Sequence, residues 1–468
     1  MNFAVLGAVN ASKSTTIATL TQDCLDNDIT PARDLVAKHP HEKITGKTSD
    51  INTILLFDGT PSSPLNTVSL IDLGGHHFYF NQVIKGINCY QPRAALLLIS
   101  INDGVTQMTK MHLNLLRYLN IPVIIVLTKY DLANDHIYNE TLDQLKVILK
   151  KCAIKFIFEV KEENKDEIMN NFMINPTIMS PVFTLSNKTG FGISLLKTFL
   201  LNLADSIYIY NQTLSETSED IQSDISTRRY FYDNVDAYKQ FKKVFNIYKS
   251  YKPNGVGLVF HGYCRVGSIK VGDKMYFGPF NDKLNPFVQI KVKSIHFENR
   301  TPTDELPESC SGCINVTILT PNLNFDDKKK GCIGKVCIDR PFVVKQILIE
   351  GYIPYQNTVS AGSESTLHSG NCISLSRIVV ATKNKEEYEL LRKKEKIYSS
   401  TEFMQPPLIL NDRGYFVIET REPAFLLPRQ YVIMRDGCVK IVGIIRDVSV
   451  VPYVQYTPLQ ENKNKWTS

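Results

Sequence analysis

Six short apolar runs recur through the first 205 residues: Phe3–Leu6, Thr53–Phe57, Val68–Asp72, Ala94–Ser100, Pro122–Thr128 and Pro181–Ser186. Between them lie stretches with helical spacing of apolar positions, Lys110–Leu119 and Leu142–Lys150, and Ile193–Ala204 closes the series. Strands that are apolar throughout have no face to show to water. Alternating with helices, they predict a mainly parallel, doubly wound sheet. Such sheets bind ligands beyond the carboxyl ends of their strands. Several of these runs end there in turns that carry Gly or Asn.

The pattern changes class after that. Asn211 to Arg229 is mostly Ser, Thr, Asp, Glu and Gln, which reads as the centre of a linker over 207–236. Beyond it come short strand-like runs, Val244–Tyr248, Gly257–Phe260 and Phe287–Val292, separated by turn signals such as Pro253-Asn254-Gly255 and Val271-Gly272-Asp273. They predict a small barrel over 237–339. A second set, Phe342–Glu350, Asn371–Ala381, Gly414–Glu419, Tyr431–Met434 and Val439–Ile445, predicts another over 340–457. One charged helix at Lys385–Lys394 interrupts that set, and 458–468 read as a frayed tail.

Composition narrows the function classes without choosing one. A chain of 468 residues exceeds a single core, and 43% apolar with 21% charged residues describes a globular protein. The net charge of +6 is too dilute over this length to argue for a nucleic-acid partner. Ten cysteines fit a reducing compartment better than a disulfide scaffold. No apolar run reaches bilayer length, and Met1 to Gly7 reads as a strand rather than a signal peptide, so a cytoplasmic monomer is expected, with neither DNA nor membrane as partner.

Chemistry enters through four motifs, each at the end of a predicted strand. Gly7-Ala8-Val9-Asn10-Ala11-Ser12-Lys13-Ser14 follows a strand and opens a helix. In that context backbone N–H groups and a helix N-terminus cradle phosphates, a lysine reaches the β/γ oxygens, and a hydroxyl (Ser14) holds Mg²⁺. Asn10, Ser12, Lys13, Ser14 and Thr15 are the expected contacts. Asp72-Leu73-Gly74-Gly75-His76 offers a carboxylate for the metal, a backbone N–H at Gly75 for a γ-phosphate, and a histidine, His76, to orient water. Thr128-Lys129-Tyr130-Asp131 offers a carboxylate for the N1–H and exocyclic amine of guanine, with the Lys129 stem on the base. Ser186-Asn187-Lys188 begins a turn whose N–H groups can meet the guanine carbonyl. The order, and intervals of 59, 57 and 57 residues from Lys13 to Asp72 to Lys129 to Ser186, make the set far more specific than any member.

With these residues the chain resembles the translational GTPases, the elongation factor Tu superfamily, and more closely the eukaryotic GTP-binding protein 1 and 2 family. Further segments carry the likeness: Gly46-Lys47-Thr48-Ser49, Gly104 to Lys110, Asn254-Gly255-Val256-Gly257, Leu367-His368-Ser369-Gly370 and Asp436 to Gly443. The resemblance implies an α/β P-loop G domain (1–206) followed by two β-barrel domains, GTP or GDP with Mg²⁺, slow intrinsic hydrolysis, and the ribosome or aminoacyl-tRNA as partner. It implies that Thr48 joins Ser14 and Asp72 at the metal, and that Val9 is one jaw of an apolar gate beside His76.

Departures from the family pattern frame the rival reading. Ser12 stands where the loop has glycine, which costs about 1–2 kcal/mol if that position needs a positive φ. Asn10 replaces an aspartate and Thr128 an asparagine. A degraded, hydrolysis-deficient G domain acting as an RNA or protein adaptor is therefore the alternative; an ATP-using enzyme is disfavoured by Asp131. Cys310, Cys313, Cys332 and Cys337 invite a zinc reading, against which buried thiols on barrel strands are favoured. Lys328–Lys330 and Arg392–Lys394 read as solvated faces.

Overall fold

The computed structural model describes residues 1–27, 29, 31–37, 39–45, 48, 51–57, 67–152, 154–216, 241–280, 286–298, 300–308, 310–320, 335–354, 358–384, 386 and 413–451. Cys332, Lys328–Lys330, Arg392–Lys394, Gly46, Lys47, Ser49 and the predicted helix Lys385–Lys394 apart from Glu386 lie outside these residues.

The N-terminal part is a seven-stranded sheet. Its strands are β1 (Asn2–Gly7), β2 (Asn52–Phe57), β3 (Thr67–Asp72), β4 (Ala94–Ser100), β5 (Val123–Thr128), β6 (Phe156–Glu159) and β7 (Met179–Thr184). They lie in the order β2-β3-β1-β4-β5-β7-β6, and only β2 runs antiparallel to its neighbour. The helices are α1 (Lys13–Gln22), α2 (Pro40–Thr45), α3 (Phe80–Tyr90), α4 (Gln107–Tyr118), α5 (Asp135–Lys151), α6 (Lys165–Ile174) and α7 (Ile193–Glu216). Alternation along β1 serves both faces: Ala4 and Leu6 enter one core with α3 and α4 residues, Phe3 and Val5 the other with α1 and α7 residues.

Two expectations need correction. Six strands were predicted and there are seven, because β6 is an edge strand whose Phe156 and Phe158 stay exposed, so no buried apolar run announces it. The helix expected over Ile193–Ala204 runs on to Glu216, and Ile207 is fully buried in it, so the first ten residues of the expected linker are helix.

Two closed six-stranded barrels follow. The first runs Lys274–Gly278, Val336–Ile338, Val244–Tyr251, Leu258–Val266, Ser311–Ile318 and Val288–Phe297, and the last strand pairs back onto the first. The second runs Val343–Tyr352, Arg413–Ala424, Cys372–Thr382, Glu364–Ser369, Tyr431–Asp436 and Cys438–Val451, closing the same way. Closure leaves no strand edge open among these six. Buried and half-exposed residues alternate along Ser311–Ile318, as a barrel wall requires. Cys310 and Cys337 are buried and Cys313 half-buried. Among the described residues no three His, Cys, Asp or Glu side chains gather to hold a metal.

Polar side chains dock the first barrel on the sheet domain. Asn2 Nδ2 donates to Tyr90 O at 3.0 Å and to Tyr248 Oη at 2.9 Å, and the Tyr90 and Tyr248 rings lie 4.2 Å apart. Arg265 donates to Gln91 Oε1 at 2.7 Å, and Arg93 to Tyr263 Oη at 3.2 Å. No helix among the described residues is long and apolar enough to cross a membrane.

Candidate nucleotide site

The loop between β1 and α1 is built on backbone that few residues adopt. At Gly7 a Cβ would meet Leu98 O at 2.5 Å, so only glycine lets the chain leave the sheet beside β4. Asn10 (φ 65°) and Ser12 (φ 58°) are both left-handed. Asparagine visits that region readily, whereas serine is strained there. Ser12 is the N-cap of α1, yet no side chain caps the helix. The amides of its first turn face the open cleft, where the helix dipole favours an anion.

Below that turn the candidate metal ligands converge. Ser14 Oγ donates to Asp72 Oδ2 at 2.6 Å, Thr48 Oγ1 lies 3.0 Å from Ser14 Oγ, and Thr48 also reaches Asp72 Oδ2 at 3.5 Å. Asp72 is 2% exposed, and its second oxygen, Oδ1, is buried without a hydrogen-bond partner among the described residues. Burial pushes the Asp72 carboxyl pKa up, with the Ser14 bond opposing. Three hard oxygen ligands and an orphaned carboxylate oxygen fit a small divalent cation such as Mg²⁺.

Lys13 lies beside them. Its ammonium donates to Ala8 O at 2.9 Å, and burial lowers its pKa to about 8 although Asp72 pulls the other way. Gly75 passes so close that a Cβ would fall on Lys13 Nζ and within 2.7–2.8 Å of the Gly7 and Ala8 carbonyls. The glycine is therefore required for its backbone to lie against the phosphate loop. His76 caps the short turn His77–Tyr79: its Nδ1 accepts from Phe78 N at 3.3 Å, and its ring stacks on His77. A neutral ring held this way carries its proton on Nε2.

At the other end, Asp131 Oδ1 accepts from Ser186 Oγ at 2.5 Å, which fixes a carboxylate that is otherwise exposed. Lys129 is left-handed at φ 63°, and its ammonium stands 3.8 Å from Asp103. Thr128 is fully buried and bonds only weakly, to Ala11 O and Ile99 O at 3.4 Å.

An open cleft is lined by Val9, Asn10, Ser12, Lys13, Ser14, Thr15, Thr48, Gly75, His76 and Lys129. The cleft thus brings together Asn10, Ser12, Lys13, Ser14, Thr15, Thr48, Gly75, His76 and Lys129, with Asp72 reaching it through Ser14, whereas Asp131, Ser186, Asn187 and Lys188 are not among its lining residues. Asn187 is placed differently. Its Nδ2 donates to Thr16 Oγ1 at 3.0 Å while its Oδ1 accepts from Thr19 at 2.9 Å, so the side chain ties its turn to α1 instead of facing the cleft. Lys188 is exposed.

Two residues escaped the sequence. Arg33 lines the same cleft; a single arginine between motifs has no spacing to mark it. His112 on α4 is fully buried, with neither ring nitrogen hydrogen-bonded among the described residues. Burial lowers its pKa to about 3. On a helix face it reads from sequence as an ordinary polar position.

Comparisons with known proteins agree with this geometry. Residues 1–217 match the family described as elongation factor Tu GTP binding domain. Over 326 residues, 65% of this chain, it is 34% identical to GTP-binding protein 1 of Xenopus laevis, and it spans 45% of that protein's length. Among solved structures, translation elongation factor SelB of Methanococcus maripaludis with a GTP analogue superposes with TM-score 0.60 at 17% identity, covering 96% of this chain and 79% of that one. The Ski7 GTPase-like domain of S. cerevisiae, bound to GTP, gives 0.64 at 15%, covering 95% and 97%. At these identities the structural likenesses establish the fold alone.

Proposed function

We propose that this chain, whose residues 1–217 match the elongation factor Tu GTP binding domain, works as a translational GTPase: it binds GTP and GDP, hydrolyses GTP slowly by itself, and engages the ribosome or a tRNA through its barrels. The observation that carries the reading is a cleft lined by Lys13, Ser14, Thr48, Gly75 and His76 together with Lys129, which stands two positions before Asp131. The oxygens of Ser14, Thr48 and Asp72 meet beside Lys13 at one end, and Asp131 is braced by Ser186 near the other.

Each residue then has a task. Asp131 accepts from the N1–H and exocyclic amine of guanine, a donor pair adenine lacks. Lys129 lays its stem on the base. Loop amides and the α1 N-terminus cradle the phosphates, and Lys13 exchanges its bond to Ala8 O for phosphate oxygens. Mg²⁺ held by Ser14, Thr48 and Asp72 would neutralise charge on the β and γ oxygens. Gly75 turns its N–H toward the γ-phosphate. His76 is placed to orient the attacking water. Val9 lines the cleft beside it.

Calorimetry with GTP, GDP and ATP, followed by turnover with and without ribosomes, tests this. Preference for guanine and ribosome-stimulated hydrolysis are the expected results; equal affinity for ATP and GTP would sink the reading. One observation favours a second outcome, in which nucleotide is held but not hydrolysed and the barrels serve as an adaptor: the strained Ser12 in the phosphate loop. Binding without stimulated turnover would select it.

A further inference from the structure

Taking the nucleotide reading as given, we propose that Arg33 is a phosphate ligand supplied by the chain itself, and that it makes the site prefer the triphosphate over the diphosphate. Arg33 lies in a short 3-10 helix, Ala32–Leu35, between α1 and Thr48, and lines the cleft together with Lys13, Ser14, Thr48 and His76. Its backbone is anchored. Ala32 is 2% exposed in the core that α1 shares, and its N–H bonds Asp26 Oδ1 at 2.9 Å. Asp26 in turn donates from its N–H to Asn187 O at 2.9 Å. The helix is thus tied both to α1 and to the turn that begins at Ser186.

The guanidinium, by contrast, is held by one long ion pair. Its Nε is buried without a hydrogen-bond partner among the described residues. Asp34, the adjacent residue, stands 3.7 Å from that nitrogen, and its own Oδ1 is also without a hydrogen bond. An ion pair of that length between half-exposed neighbours holds little. A buried donor left unmade is costly, and turning the side chain from Asp34 into the cleft would bring it to phosphate oxygens that satisfy it. Guanidinium presents Nε and one Nη as a planar fork matching two phosphate oxygens, which an ammonium cannot do.

Selectivity follows from charge. Among the described residues lining the cleft beside Ser14 and Thr48, Lys13 is otherwise the one cation, and it interacts with the Asp72 carboxylate. A second cation there offsets the additional negative charge that GTP carries over GDP. It gives the site a larger gain from the terminal phosphate than from those the two nucleotides share.

The test measures affinities for GTPγS and GDP by calorimetry at fixed Mg²⁺ in the parent, Arg33→Ala, Arg33→Lys and Asp34→Ala, with thermal melting of each as the folding control. Arg33→Ala should weaken GTPγS by roughly tenfold to a hundredfold and GDP by no more than about threefold, the loss of hydrogen bonds to a charged group. Arg33→Lys should recover only part, and Asp34→Ala should bind like the parent. Equal weakening of both nucleotides, or none, would overturn the proposal, as would Asp34→Ala reproducing the loss. A parent that binds neither nucleotide refutes the nucleotide reading itself, and does so before any variant is compared.

Discussion

Replacing Ser12 by glycine should relieve strain that the phosphate loop carries at φ 58° and ψ 30°. A left-handed conformation costs an L-residue about 1–2 kcal/mol, and glycine escapes that cost. Glycine also frees the unfolded chain, which takes back about 0.4–1 kcal/mol of stability. The relief divides according to what the loop does when the cleft is empty. If the loop leaves the left-handed region without nucleotide, the strain is borne on binding, and Ser12→Gly tightens GDP by up to about tenfold. If the loop keeps one path throughout, affinity stays put and the gain appears in thermal stability, at about 2–4 °C per kcal/mol for a domain of this size. Calorimetry and melting of the nucleotide-free protein, done on the same two proteins, separate the cases. Were both quantities unchanged, or both lower, the loop would not hold Ser12 as described and the strain argument would be wrong.

Other substitutions test the remaining parts of the cleft. Asp131→Asn should lower GTP affinity at least tenfold and shift preference toward xanthine nucleotides, read by competition binding; unchanged guanine preference would remove Asp131 from base recognition. His76→Ala should leave GTP affinity within about threefold while removing most ribosome-stimulated turnover, and His77→Ala, on the exposed neighbour, should change turnover little. His112 gives a pH dependence. Its pKa is about 3 in the fold against about 6.5 unfolded, so the unfolded chain binds the extra proton between those values. Its share of stability is full above pH 6.5 and is lost as pH falls, by about 1.4 kcal/mol per unit. Urea melts of His112→Leu at pH 7 and pH 5 should show a shallower fall than the parent; parallel curves would refute the assignment.

The parts of the molecule visible in the sequence were those where chemistry repeats at fixed order. The four motifs needed no tertiary knowledge, because the loop after Gly7, Asp72 and the Thr128–Asp131 segment each sit at a strand end that an apolar run marks. The barrels showed through turn signals and short strands. What stayed hidden depends on packing. Arg33 has no partner in spacing, and its meaning comes only from where Ala32 and Asp26 pin it. The turn Ser186-Asn187-Lys188 suggested backbone contacts, but not that two threonines one turn apart on α1 claim both ends of the Asn187 amide. Tyr90 and Tyr248 are far apart in the chain, and nothing local says that they meet. β6 was missed because an exposed edge has no buried run to reveal it.

The Asn187 amide has a kinetic consequence. It joins the turn behind Asp131 to the helix behind Ser12, and the bond from Asp26 to Asn187 O adds a second tie on the same residue. Base end and phosphate end are therefore not two doors with separate hinges. On the proposed nucleotide reading, a partner that hastens release would need a grip on α1 or on that turn, not on both, since displacing either pulls the other with it.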